Sequence, residues 1–178
     1  VPHITDATSH WFQANLFESG HVSIQAPPCP EAFFQHNVII GPQGQWHTKY
    51  YPGQALWLSL PFRTWLMPLA FAVFLATTHR VVSRYFDAVV AHVSTLMLAT
   101  SPLMLLLSAS FMSHVTLLMW MSGTWAFLLP CTTTSPRPSW KIWVASSAAG
   151  FCSGMALLTR PQDAVMFGLV IGAFTLPT

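Results

Sequence analysis

Asp6 is one of only five acidic residues in a chain of 178. It opens an aromatic, glutamine-bearing stretch, Asp6-Ala-Thr-Ser-His-Trp-Phe-Gln-Ala-Asn-Leu-Phe-Glu-Ser-Gly20. A carboxylate at that place has two uses. It can cap the helix that follows by accepting from free amides, or it can remove a proton from a hydroxyl as a general base. His3, Asp6 and His10 are spaced by three and four, so they share one helical face and form a candidate metal set. No further strong ligand stands nearby, and a solvated face accounts for the same spacing.

Three further clusters carry chemistry. Gly44-Gln-Trp-His-Thr-Lys-Tyr-Tyr-Pro-Gly53 sets Lys49 among aromatic rings. This is either an interfacial belt with Lys49 snorkelling, or a site where Lys49 pairs with a phosphate while Trp46, Tyr50 and Tyr51 pack on a sugar or isoprenoid. Ser108-Ala-Ser-Phe-Met-Ser-His114 is a small, polar break between apolar runs. His114 there is a structural hydrogen-bonding group or a site group, and polar residues at membrane depth tend to be functional. A Ser113–His114–Asp163 triad is conceivable, although no nucleophile elbow accompanies it. Thr159-Arg160-Pro-Gln-Asp-Ala164 offers a salt bridge with a helix cap, or a guanidinium fork for phosphate.

The elements that must position these groups follow from composition. Charged residues make up 7% and apolar residues 53%, whereas a soluble domain carries about a quarter of its residues charged. The composition predicts an integral membrane protein. A net charge of +2 without a Lys/Arg cluster gives no case for nucleic acid. Cys29, Cys131 and Cys152 are scattered and form no C-x-x-C pair, so neither a disulfide framework nor a zinc site is expected. The chain opens on Val1 and closes within an apolar run, from which we expect both ends to belong to something longer.

Residues 1–53 form a polar, turn-rich region holding five of the eight histidines: His3, His10, His21, His36 and His47. Asp6 to Glu18 reads as a helix with Gly20 as its C-cap. Pro27-Pro28-Cys29-Pro30 forbids regular structure, and Asn37 to Trp46 reads as a strand, a Gly-rich turn and a returning strand. Residues 54–178 form a helical region with apolar segments near 54–78, 86–107, 111–129, 142–158 and 164–176. Pro61, Pro68 and Pro102 interrupt them. We expect about five membrane helices with an irregular corner from Ser101-Pro102 to His114. Gly150-x-x-x-Gly154 and Gly168-x-x-x-Gly172 predict close helix packing. Alternate crossings would put the first region, the 108–114 corner and the 159–163 turn on one face. Arg80, Arg84, Arg137 and Lys141 would lie on the other, which the positive-inside rule makes cytoplasmic.

In order along the chain, four motifs resemble bacterial polytopic glycosyltransferases of the GT-C superfamily. They are Asp6 with its aromatic helix, Gly44-x-Trp46-x-x-Lys49-Tyr50-x-Pro52-Gly53, Ser101-Pro102 through Ser113-His114, and Leu158-Thr159-Arg160-Pro161-x-Asp163-Ala164. The resemblance, nearest to the protein mannosyltransferase-like and lipid A aminoarabinose transferase-like enzymes, runs from Asp6 to Ala164. It implies a mainly α polytopic fold. It also implies a sugar donor on a polyprenyl phosphate, used at the periplasmic face of the bacterial plasma membrane with inversion. Asp6 is then the base, and Lys49, Tyr50, His114, Arg160 and Asp163 the substrate-binding residues; no cofactor is expected. Two positions depart from the family pattern: Ala7 stands where a second acid is common, and Tyr50-Tyr51-Pro52-Gly53 where Tyr-Pro-Pro-Gly is common. The acceptor stays open among lipid, glycan and protein. Two other readings remain. One is a non-catalytic protein of the same scaffold that binds a lipid-linked glycan. The other is a transporter, for which His92 is the mid-span candidate.

Overall fold

A computed structural model describes residues 4–30, 37–131 and 139–175. His3, His36 and Arg137 lie outside the described residues, and with His3 goes one member of the candidate metal set. The chain is mainly helical: α1 (Thr5–Glu18), three short strands, then α2 (Pro52–Leu58), α3 (Arg63–Tyr85), α4 (Ala88–Thr100), α5 (Pro102–Ser108), α6 (Ser113–Leu128), α7 (Ser139–Thr159) and α8 (Pro161–Thr175). A 3-10 turn, Leu129–Cys131, closes α6.

Helix α1 ends as the sequence predicts. Gly20 takes φ +78°, and the amides of Gly20 and His21 return to the carbonyls of Phe17 and Leu16. Strands β2 (Val38–Ile40) and β3 (Gln45–Thr48) pair antiparallel about the Gly41–Gly44 turn, with Val38 opposite Thr48. A strand not anticipated, β1 (Ile24–Gln25), adds to the other edge of β3. Gln13 of α1 fastens this sheet. Its Oε1 accepts from the Thr48 amide at 3.1 Å, and its Nε2 donates to the Val22 carbonyl at 2.7 Å.

The first region shares its core with the second. Ala14 of α1 packs with Ala55 and Leu58 of α2, Met67 and Phe71 of α3, and Val115 of α6. Arg63, at the start of α3, grips α1 through Asn15 Oδ1 and Glu18 Oε2, both at 2.5 Å, and stacks 4.3 Å from the Trp11 ring. These contacts leave no packing gap at residue 53.

The helices are shorter and more broken than the apolar runs suggested. Among the described residues two helices, α3 and Trp140–Thr159 of α7, are long and apolar enough to cross a membrane. Helices α4 and α5 together make a third if their 62° bend is one broken span. Pro102 produces that bend by opening α5 at its first position, where its missing N–H costs nothing. The run from residue 54 to 78 is likewise split between α2 and α3, while Pro68 is accommodated inside α3. Helix α6 has 16 residues and α8 has 15. At 1.5 Å per residue these reach roughly 23–24 Å, short of an apolar core about 30 Å thick. Among the described residues, two or three helices thus qualify as spans by length and composition, against the five or so expected.

Close packing falls elsewhere than at the paired glycines. A methyl added at Gly150, Gly154, Gly168 or Gly172 meets nothing within 4 Å. At Gly53 it would sit 2.6 Å from the Leu158 carbonyl carbon and from the Thr159 amide nitrogen. The start of α2 is therefore pressed backbone to backbone against the end of α7. His92 is the fifth residue of α4 and sits edge-on to His79 at 4.8 Å, near the helix end rather than in mid-span.

Candidate functional site

The close approach at Gly53 decides where the site forms. Tyr50 and Tyr51 directly precede α2, and Arg160 to Asp163 directly follow α7, so pressing those two ends together brings both groups to one place. Gln54, fully buried, adds the third wall: its Nε2 donates to the carbonyls of Phe111 and Met112 at 3.2 and 3.4 Å. That holds the turn leading into His114 against α2. The first turns of α1 supply the fourth wall. The result is a cavity of about 240 Å³ whose polar lining includes Asp6, His10, Tyr50, His114, Arg160 and Asp163.

Asp6 occupies the second position of α1. The cap is Ile4, and no side chain caps the helix, so the capping reading of Asp6 gives way. Its Oδ1 instead accepts a 2.6 Å hydrogen bond from Nδ2 of Asn37, a residue 98% buried. Tyr50 stands beside it: burial, then a hydrogen bond to Asp6 and the Asp6 charge, push its phenol up to about 12. Ala7 is buried as well, so an acid at that position would be enclosed by protein.

Arg160 is the hub of the opposite wall. Its Nη1 donates to His114 Nδ1 at 2.7 Å, and its Nε pairs with Asp163 Oδ2 at 2.9 Å. Because a guanidinium only donates, His114 carries its proton on Nε2. Burial first, then the Arg160 charge, holds His114 below the usual imidazole range, against the opposing pull of Asp163 and Asp6. The triad geometry is not made: Asp163 binds Arg160, and His114 offers Nδ1 to Arg160 rather than to Asp163.

The structure brings together Asp6, Tyr50, His114, Arg160 and Asp163. Lys49 stays apart, exposed and outside the lining of this cavity, with its Nζ 5.3 Å from the centre of the Tyr50 ring. Its backbone amide donates to the Asn37 carbonyl, so the segment helps hold the Asn37–Asp6 contact while the ammonium lies over the Tyr50 ring. Among the described residues no group of three ligands could hold a metal ion. Sequence reasoning missed Asn37 and Gln54, and it placed His10 only in a metal set. Its i, i+4 relation to Asp6 was the signal that both would face the same space.

No family model, curated protein or solved structure matches this chain.

Proposed function

We propose that this chain is the catalytic head of a membrane glycosyltransferase that moves a sugar from a polyprenyl-phosphate donor to an acceptor hydroxyl, with inversion. One observation carries the reading. Four segments far apart in sequence set an acid, Asp6, across a small cavity from a cation, Arg160. Asp6 takes the acceptor's proton as its oxygen bonds to the anomeric carbon, and the bond from that carbon to the lipid phosphate breaks with its electrons on phosphate. Arg160 meets that growing charge in a site where water is partly excluded. No metal is required by this scheme.

The membrane part of the reading rests on the outer surface. Trp65, Leu96, Leu106, Trp143, Phe151 and Leu169 are all more than 60% exposed, an apolar coat that lipid would cover. Arg80 and Arg84, late in α3, and Lys141, early in α7, lie at the helix ends away from the cavity. By the positive-inside rule those ends are cytoplasmic and the cavity faces the periplasm of a bacterial plasma membrane.

The test is release of polyprenyl phosphate from a polyprenyl-phosphate hexose by membranes carrying the whole protein. Asp6→Asn should slow it by at least about 10²-fold, the usual contribution of a positioned base. Wild-type turnover in this variant would sink the assignment. A second reading, binding of a lipid-linked glycan without turnover, is favoured by Ala7 and by the engagement of Asp6 with Asn37 and Tyr50. Tight binding of the donor with no product would support it.

A further inference from the structure

His10 is 4% exposed, its Nδ1 is enclosed without a hydrogen-bond partner, and its ring forms part of the cavity wall. Buried polar atoms in folded proteins find partners with few exceptions, and each exception needs a reason. Packing supplies none here. The ring lies 4.8 Å from that of Tyr50 at 36°, a contact that phenylalanine would make equally well without an orphan nitrogen. Burial, the dominant influence, brings the His10 pKa down to about 4. At neutral pH the ring therefore has one acceptor and one donor nitrogen. It does not compete with Asp6, one helical turn away, for a proton.

We infer that His10 is a substrate-contacting residue whose imidazole hydrogen-bonds a hydroxyl of the sugar bound between Asp6 and Arg160. The inference rests on the glycosyl-transfer reading above. A neutral ring beside a carboxylate suits a hydroxyl and not the donor's phosphate, which has the Arg160 guanidinium across the cavity. Nδ1 is closed to solvent, so the ring turns about χ2 to present that nitrogen to the cavity as the sugar enters, and the contact exists only when the sugar is present.

Two probes sharing one lipid separate the possibilities: farnesyl phosphate, and farnesyl phosphate carrying a hexose or pentose. Binding is measured on the whole protein in detergent by the ligand-induced shift in melting temperature. In wild type a glycosylated probe should bind more tightly than bare farnesyl phosphate. His10→Phe should weaken the glycosylated probe roughly tenfold, the loss of one neutral hydrogen bond, and leave the bare phosphate unchanged. His10→Asn, which keeps a polar group near the Nδ1 position, should recover most of that loss. The ligand-free melting temperature of His10→Phe should equal or exceed that of wild type. Unchanged binding of the glycosylated probe by His10→Phe would overturn the inference while leaving the transferase reading in place. The same holds if wild type binds bare farnesyl phosphate but no glycosylated probe more tightly. A His10→Phe protein that fails to fold while His10→Asn folds would mark the ring as structural. Binding of neither probe by wild type would overturn the transferase reading itself.

Discussion

Adding a single methyl at Gly53 tests the account of how the site is assembled. The new Cβ would lie 2.6 Å from Leu158 carbonyl carbon, Thr159 nitrogen and Thr159 Oγ1. Carbon contacts are optimal at about 3.5–4.0 Å, so the overlap is roughly 1 Å, and two of the three atoms belong to backbone that cannot rotate aside. Relief requires α2 and the end of α7 to separate. Overpacking of this kind costs about 1–3 kcal/mol. The same movement carries Tyr50 away from Arg160, and a 1 Å misplacement of reacting groups costs about 10²-fold in rate. Gly53→Ala should therefore lose stability by that amount and donor turnover by about two orders of magnitude. Gly150→Ala is the control. It sits inside α7 with nothing within 4 Å, so better helix propensity should leave it unchanged or more stable by up to about 1 kcal/mol. A Gly53→Ala protein that melts and turns over like wild type would refute the claim that this contact builds the cavity.

Acid should unfold the protein partly through His10. A histidine with a folded pKa lowered from 6.5 to about 4 contributes stability that is complete above pH 6.5 and is lost as pH falls toward 4. That window is worth about 3 kcal/mol, and His10→Phe should flatten this part of a stability-against-pH curve; an unchanged curve would contradict it. Arg63→Ala removes the hydrogen bonds to Leu58, Asn15 and Glu18 and the stack on Trp11. It should cost about 2–3 kcal/mol and expose α1 to protease, and protection equal to wild type would show that α1 is held by its core contacts alone. Asp163→Asn frees Arg160 from a pair whose members are 39% and 45% exposed. Such pairs are weak, so farnesyl phosphate should bind up to about fivefold more tightly; tenfold weaker binding would show that Asp163 orients the guanidinium.

The ends of elements were the most legible part of this sequence. Gly20 marks the end of α1 and Gly44 the β2–β3 turn, because few residues tolerate the positive φ that both adopt. Asp6, His114 and Arg160 do line one cavity, although the alternate crossings from which that was expected would need more long apolar helices than the described residues contain. Contacts between distant segments were not legible. Asn37 reaches Asp6 across 31 positions, and Gln54 reaches Phe111 across 57; no spacing rule links such pairs. Lys49 shows a different failure. It adjoins Tyr50 in sequence, but the chain bends there after β3 ends at Thr48; Tyr50 lines the cavity while the Lys49 ammonium rests over the Tyr50 ring outside it. The described helices are shorter than the apolar runs because those runs report solvent preference, while Pro52, Pro102 and Pro161 decide where helices restart.

Charge in the cavity narrows what Arg160 and His114 can do. Both histidines are neutral at pH 7, which leaves Asp6 and Asp163 against Arg160, a net charge of −1 among the lining groups. A lipid phosphate is therefore not drawn in by overall charge; it must find donors already aimed and incompletely used. Arg160 has five N–H groups, of which Asp163 and His114 engage two. His114 cannot act as a base through Nδ1, since that lone pair receives the guanidinium. Its place in the scheme is to hold Arg160 still. In the proposed glycosyl transfer, the phosphate would gain a full negative charge as the glycosidic bond breaks, so its interaction with a fixed guanidinium would strengthen from bound donor to transition state. An interaction that grows along the reaction speeds the chemical step, whereas one of constant strength only tightens binding. The His114–Arg160 hydrogen bond, rather than the number of cations nearby, is thus the feature of this wall suited to catalysis.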